Sequence, residues 1–101
     1  MACNVRIAEE AADAFARSVE YVAFVLKEPS AANEMMLSFD DFIARVSQVP
    51  ESYPLCQERR LANLRVHKAH IKKYVALYQI EDKGVNVIAF FHQTQNYAKL
   101  I

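Results

Sequence analysis

The side chains most able to do chemistry in this sequence crowd into one stretch. Arg59, Arg60, Arg65, Lys68, Lys72 and Lys73 are joined there by His67 and His70, while a third histidine, His92, precedes Tyr97 near the end of the chain. Metal-free RNA cleavage would use such groups: a base for the 2′-hydroxyl proton, cations for the phosphorane-like state and an acid for the leaving oxygen. His67, His70 and His92 are the candidate acid and base, Arg65 and Lys68 the candidate phosphate clamps, and Tyr97 a candidate donor. On a regular strand, however, His67 shares a face with Arg65 and Ala69, whereas His70 shares the other with Val66 and Lys68. Without a bulge the two histidines cannot serve one site. The same basic stretch also suits phosphates or the carboxylates of a partner segment, and charged strand edges discourage unwanted pairing. Cys3 and Cys56 lack the close spacing of a metal or redox pair, so neither a metal nor a cofactor is expected.

The elements that must hold these residues follow from the apolar periods. Residues 3–7 alternate, which predicts a short strand. From Ala8 the spacing becomes helical: Phe15, Val19, Val22 and Leu26 form one stripe, Glu9, Glu10 and Asp13 suit a helix N-terminus, and Pro29 closes the helix. Ser30 is the expected N-cap of a second helix, with Ala32, Met36, Phe39, Ile43 and Val46 on its apolar face and Pro50 beyond its end. The connection is short, so the two helices form an antiparallel hairpin. Residues 65–71, 74–80 and 85–91 are runs rich in Val, Ile, Tyr and Phe, and Glu81-Asp82-Lys83-Gly84 between the last two uses the chain's single glycine. The order strand, helix, helix, strand, strand, strand predicts an α+β domain with the helical hairpin over one sheet face. Of Phe90 and Phe91, one must face the helices and the other away, where it would line a partner groove. Met35 and Met36 read as core or groove filler.

Composition sets the bounds. A chain of 101 residues, with 53% hydrophobic and 24% charged residues, one Gly and three Pro, is a single packed domain over residues 1–101. Twelve basic and twelve acidic residues cancel, and a pI near 6.8 argues against a free-standing nucleic-acid binder. The cancellation hides an asymmetry. Residues 1–57 hold four basic against nine acidic residues, and residues 58–101 hold eight against three, so the halves carry minus five and plus five. No run approaches the ~20 apolar residues of a membrane span and no signal-peptide core opens the chain, so a cytoplasmic protein without membrane contact is expected.

Five segments in order, VRIAEEA, EPSAA, VPESYPL, RRLANLRVHKAHIKKYVALYQIED and VNVIAFFHQTQNYAKLI, give the chain a resemblance to the RelE/ParE toxin superfamily of type II toxin–antitoxin systems. The resemblance covers nearly the whole chain. It implies a β-α-α-β-β-β fold whose curved antiparallel sheet is packed on one face by the N-terminal helical hairpin, with Lys72-Lys73 as the turn between the second and third strands. It also implies a cognate antitoxin wrapped around the domain, growth inhibition and plasmid stabilisation. RelE-like members cut messenger RNA on the ribosome; ParE-like members act on DNA gyrase. In RNA-cleaving members the tyrosine opening the third strand is followed by arginine, whereas here Tyr74 is followed by Val75, and the closing segment reads His92-Gln93-Thr94-Gln95-Asn96-Tyr97 where many members carry two arginines and an acid. Losing one charge-assisted donor typically costs ~2.7–4 kcal/mol in the transition state. The sequence therefore favours a ParE-like toxin over a RelE-like endonuclease acting on ribosome and mRNA, with an inactive toxin-derived binding protein as a third reading.

Overall fold

The computed structural model describes residues 3–95, so Tyr97 and Lys99 lie outside the described residues. A short strand and a helix open the chain: β1 spans Asn4–Ile7, and α1 begins two residues later, spanning Glu9–Glu20. Glu9 and Glu10 sit in the first turn of α1 and Arg17 in its last, each complementing the helix dipole. A π-helical turn, Tyr21–Val25, extends α1, and α2 follows over Pro29–Gln48. Glu28, rather than Ser30, is the N-cap of α2, because Pro29 fits the first helical position, where its missing N–H has no intrahelical role. A short α3, Arg59–Asn63, precedes β2 (Val66–Ile71), β3 (Tyr74–Glu81) and β4 (Gly84–His92).

The sheet order is β1-β4-β3-β2. β2, β3 and β4 form the expected antiparallel meander, but β1 pairs parallel to β4, so the α+β sheet is mixed rather than antiparallel throughout. A parallel neighbour requires a crossover, and the helical hairpin, α3 and two strands of the meander fill it. Gly84 makes that edge possible. Its φ is +154°, and a Cβ there would strike the backbone carbonyl oxygen of Asn4, its partner across the pair.

A register shift between Leu77 and Tyr78 leaves Ile88 as an extra residue in β4. Such a bulge bends a sheet and resets which residues share a face. Here it lets Val87 and Phe90 both face the helices beside Tyr78, although their spacing is odd. Phe90 packs edge-on to Phe15 and Phe39, at 5.2 and 5.8 Å between ring centres, and Phe91 is buried with Val75, Leu77, Cys56 and Leu61 on the opposite face.

Two residues expected in the helical core lie outside it. Leu26 is 47% exposed because the π-helical turn adds residues per turn and rotates the end of the stripe outward. Met36 is 41% exposed; α2 buries Ala32, Met35, Phe39, Phe42 and Val46 instead, an equally regular three–four spacing displaced by one residue from the stripe through Met36 and Ile43.

Candidate functional site

β2 is regular along its whole pairing with β3. Ala69 and Ile71 join the core under the helices, while Val66 joins the opposite cluster. Alternation therefore sends His67 to the helical side and Lys68 and His70 to the other. The basic stretch is spread accordingly. Arg59 and Arg60 sit on α3, Arg65 in the turn that follows it, Lys68 in β2, and Lys72 and Lys73 form the β2–β3 turn. At ~3.3 Å per strand residue, the turn lysines stand a strand's length from Arg65.

His67 is built into a corner. Its Nδ1 donates to the Tyr53 carbonyl oxygen at 2.7 Å, its ring stacks on Tyr78 at 4.9 Å and 15°, and the Tyr78 hydroxyl donates to the Pro50 carbonyl oxygen at 2.7 Å. A carbonyl only accepts, so Nδ1 carries the proton. The loop between α2 and α3 is thereby fastened to the sheet, with Tyr53 edge-on to both Phe42 and Tyr78. Tyr78 is fully buried, and burial pushes its phenol up to about 12. Burial likewise pushes the Cys56 thiol up, against a smaller opposing influence of the Lys68 ammonium. A thiol held protonated is a poor nucleophile.

The other end of the same sheet face is open. Tyr74 begins β3 directly opposite His92, the last residue of β4, and the two rings meet edge to face at 5.1 Å. Tyr74 also stacks on Phe90 at 5.3 Å and 7°. His92 turns back on its own chain: the Thr94 hydroxyl lies 2.9 Å from Nδ1, and the Thr94 backbone N–H donates to the same nitrogen at 3.2 Å. Around this wedge lies a groove of about 530 Å³, between Lys72 and Lys73 on one side and Tyr21, Leu26, Glu28 and Glu34 on the other. Sequence reasoning named Lys72, Lys73 and His92 but missed the helical wall. Nothing in the linear pattern marks Tyr21, Glu28 or Glu34, because the wall exists only where the hairpin meets the turn.

Thus the structure brings Lys72, Lys73 and His92 to one groove and places His67, His70, Lys68 and the three arginines elsewhere. Among the described residues no group of His, Cys, Asp and Glu has the geometry of a metal site, and no helix is long and apolar enough to cross a membrane.

Comparison with known proteins fixes the lineage. The family described as "ParE toxin of type II toxin-antitoxin system, parDE" matches residues 5–97. The chain belongs to the ParE toxin family. Comparison with curated proteins returns no match. Among solved structures, a chain of the chromosomal ParDE toxin–antitoxin system from P. aeruginosa superposes with a TM-score of 0.71, covering 89% of this chain and 95% of that one at 13% identity. At that identity the likeness shows the fold alone. The ParE fold nonetheless gives this chain its order of elements, and the expected turn at Lys72-Lys73 is where the structure has it. Membership makes the chain a toxin of type II toxin–antitoxin systems, and an antitoxin partner in general goes with that class.

Proposed function

We propose that this ParE-family chain arrests growth by engaging DNA gyrase in the cytoplasm and is silenced by a cognate antitoxin. The carboxylates of the antitoxin meet the basic residues Arg59, Arg60, Arg65, Lys68, Lys72 and Lys73, as charge complementarity favours between an acidic segment and the positive half of the domain. The observation that carries this reading over RNA cleavage is the dispersal of the titratable groups. General acid–base cleavage needs its acid, base and cations within hydrogen-bond reach of one phosphate. Here His67 is committed to the Tyr53 carbonyl, His70 projects from the opposite face of β2, and His92 packs against Tyr74 at the end of β4.

The test is direct. Purified chain is added to a gyrase supercoiling reaction and, separately, to a translating extract containing a defined messenger. Inhibited supercoiling with intact messenger is expected. Messenger fragments appearing at codon boundaries would overturn the proposal in favour of the endonuclease. Coexpression with the product of the adjacent reading frame should restore growth, and absence of a complex would remove the antitoxin from the account.

A further inference from the structure

The sheet separates the charges of this domain into two outer surfaces. α1 and α2 together carry seven acidic residues against Arg17 and Arg45. α1 buries Ala11 and α2 buries Met35, so at about 100° per residue Glu9, Asp13 and Glu20 of α1 and Leu37, Asp40 and Asp41 of α2 point away from the sheet, and all six are exposed. On the other side of the sheet the sign reverses. Residues 59–73 hold six basic residues and no acidic one. Leu61 anchors α3 to that side, Lys68 and His70 project there from β2, and Arg59 and Arg65 are exposed. Glu58, which flanks this stretch, is engaged as the α3 cap by the Leu61 N–H at 2.8 Å. The domain measures 40 × 32 × 21 Å, and three layers about 10 Å apart account for its shortest dimension. Charges on opposite sides of such a slab stand beyond the Debye length of about 8 Å at physiological ionic strength. Among the described residues none of the carboxylates of α1 and α2 is in an ion pair, since Arg6–Glu81 joins β1 to the end of β3. Neither surface is therefore neutralised within one molecule.

We infer that the chain associates with further copies of itself head to tail, the outer surface of the helical hairpin of one copy lying on the α3 side of the next. Stacking brings opposite signs into contact that the thickness of a single domain keeps apart. Like surfaces repel, so a two-fold dimer through either one is excluded. Zero net charge lets the copies approach without overall repulsion. Each surface also offers an exposed leucine, Leu37 at 56% on the hairpin and Leu64 at 49% between α3 and Arg65. A head-to-tail contact leaves one surface of each sign unused, and growth continues until a ring closes or a chain ends. The antitoxin reading above assigns carboxylates to the same basic residues, so a bound antitoxin and a second copy exclude one another there.

Sedimentation velocity of the full chain alone tests this. At about 0.01 M salt the mass should rise with concentration past that of a dimer, and at about 1 M salt, where the Debye length falls to about 3 Å, it should return to 11.6 kDa. Asp40→Lys with Asp41→Lys reverses part of the helical surface, and Arg59→Glu with Arg65→Glu part of the other. Either pair alone should weaken association at least about tenfold, while an equimolar mixture of the two variants, or one chain carrying all four substitutions, should regain it. Thermal unfolding establishes that each variant is folded; where one is not, the salt dependence of the unaltered chain and the remaining variant decide. A mass of 11.6 kDa at every concentration in low salt overturns the inference. So does a mass that saturates at a dimer, which marks a two-fold contact, or an assembly indifferent to salt and to both pairs of substitutions. Loss of association in the variants without recovery in the mixture or the fourfold variant overturns it as well, because the two surfaces then do not meet each other.

Discussion

Two histidine–tyrosine pairs stand on the helical face of one sheet, and they do opposite things. At the loop corner His67 lies flat on Tyr78, and both polar ends are used, one on the Tyr53 carbonyl and one on the Pro50 carbonyl. At the open end His92 meets Tyr74 edge-on, and its Nδ1 is engaged within its own turn by Thr94. The first pair ties distant segments together; the second borders a groove with charged walls. Residue type is the same in both, so partner location decides the role. A histidine whose hydrogen bond closes a long loop is structural, whereas one that bonds locally leaves its surroundings open to a ligand.

The largest effect should separate the tyrosines. Tyr78→Ala removes a fully buried ring and is expected to cost about 3–5 kcal/mol, while Tyr74→Ala, at a half-buried ring, should cost clearly less; equal losses in denaturant titrations would break the comparison. The Tyr78 phenol adds a pH dependence. Its folded value is raised to about 12 from an ordinary 10, so the folded state favours the neutral form; stability is intact below pH 10 and falls as pH rises through about 12. Tyr78→Phe should remove that component of the alkaline loss in chemical denaturation at stepped pH.

Next come the histidines. His67→Ala strands the Tyr53 carbonyl and should cost about 1–3 kcal/mol, whereas His92→Ala should stay within about 0.5 kcal/mol in the same titration. A large loss at His92 would make the open end structural too. One effect has the opposite sign. Lys72 occupies left-handed backbone at φ +59°, where a side chain costs about 1 kcal/mol, so Lys72→Gly should raise stability by up to about 1 kcal/mol in thermal unfolding.

Lys27 and Arg65 share that left-handed backbone, at φ +55° and +61°. With one glycine in the chain, basic residues fill positions where glycine is the usual choice, at the end of the extended α1, after α3 and in the β2–β3 turn. The sequence shows the charges but not this backbone, because φ is set by the elements on either side.

The strand and helix periods were legible because they are local: the alternation in β2, β3 and β4 and the three–four spacing through Phe15, Val19 and Val22 each report one face. α3 was not, since five residues are too few to show a helical period; its clue is Glu58, whose carboxylate accepts from the Leu61 N–H at 2.8 Å as an N-terminal cap. The choice of Met35 over Met36 was not legible either, because adjacent positions fit a helical stripe equally well until a sheet is laid against it.

The sequence by itself determined the α+β order of elements, the placement of His67 and His70 on opposite faces of β2, and the segregation of negative charge in the first half from positive charge in the second. Only the tertiary structure decided that β1 lies parallel to β4, that the π-helical turn exposes Leu26, and that Glu28 and Glu34 line one groove with Lys72 and Lys73. The division follows range: periodicity and charge are properties of neighbours in the chain, whereas a groove with two signed walls requires residues some forty positions apart to be brought together by the packing of the helical hairpin on the sheet.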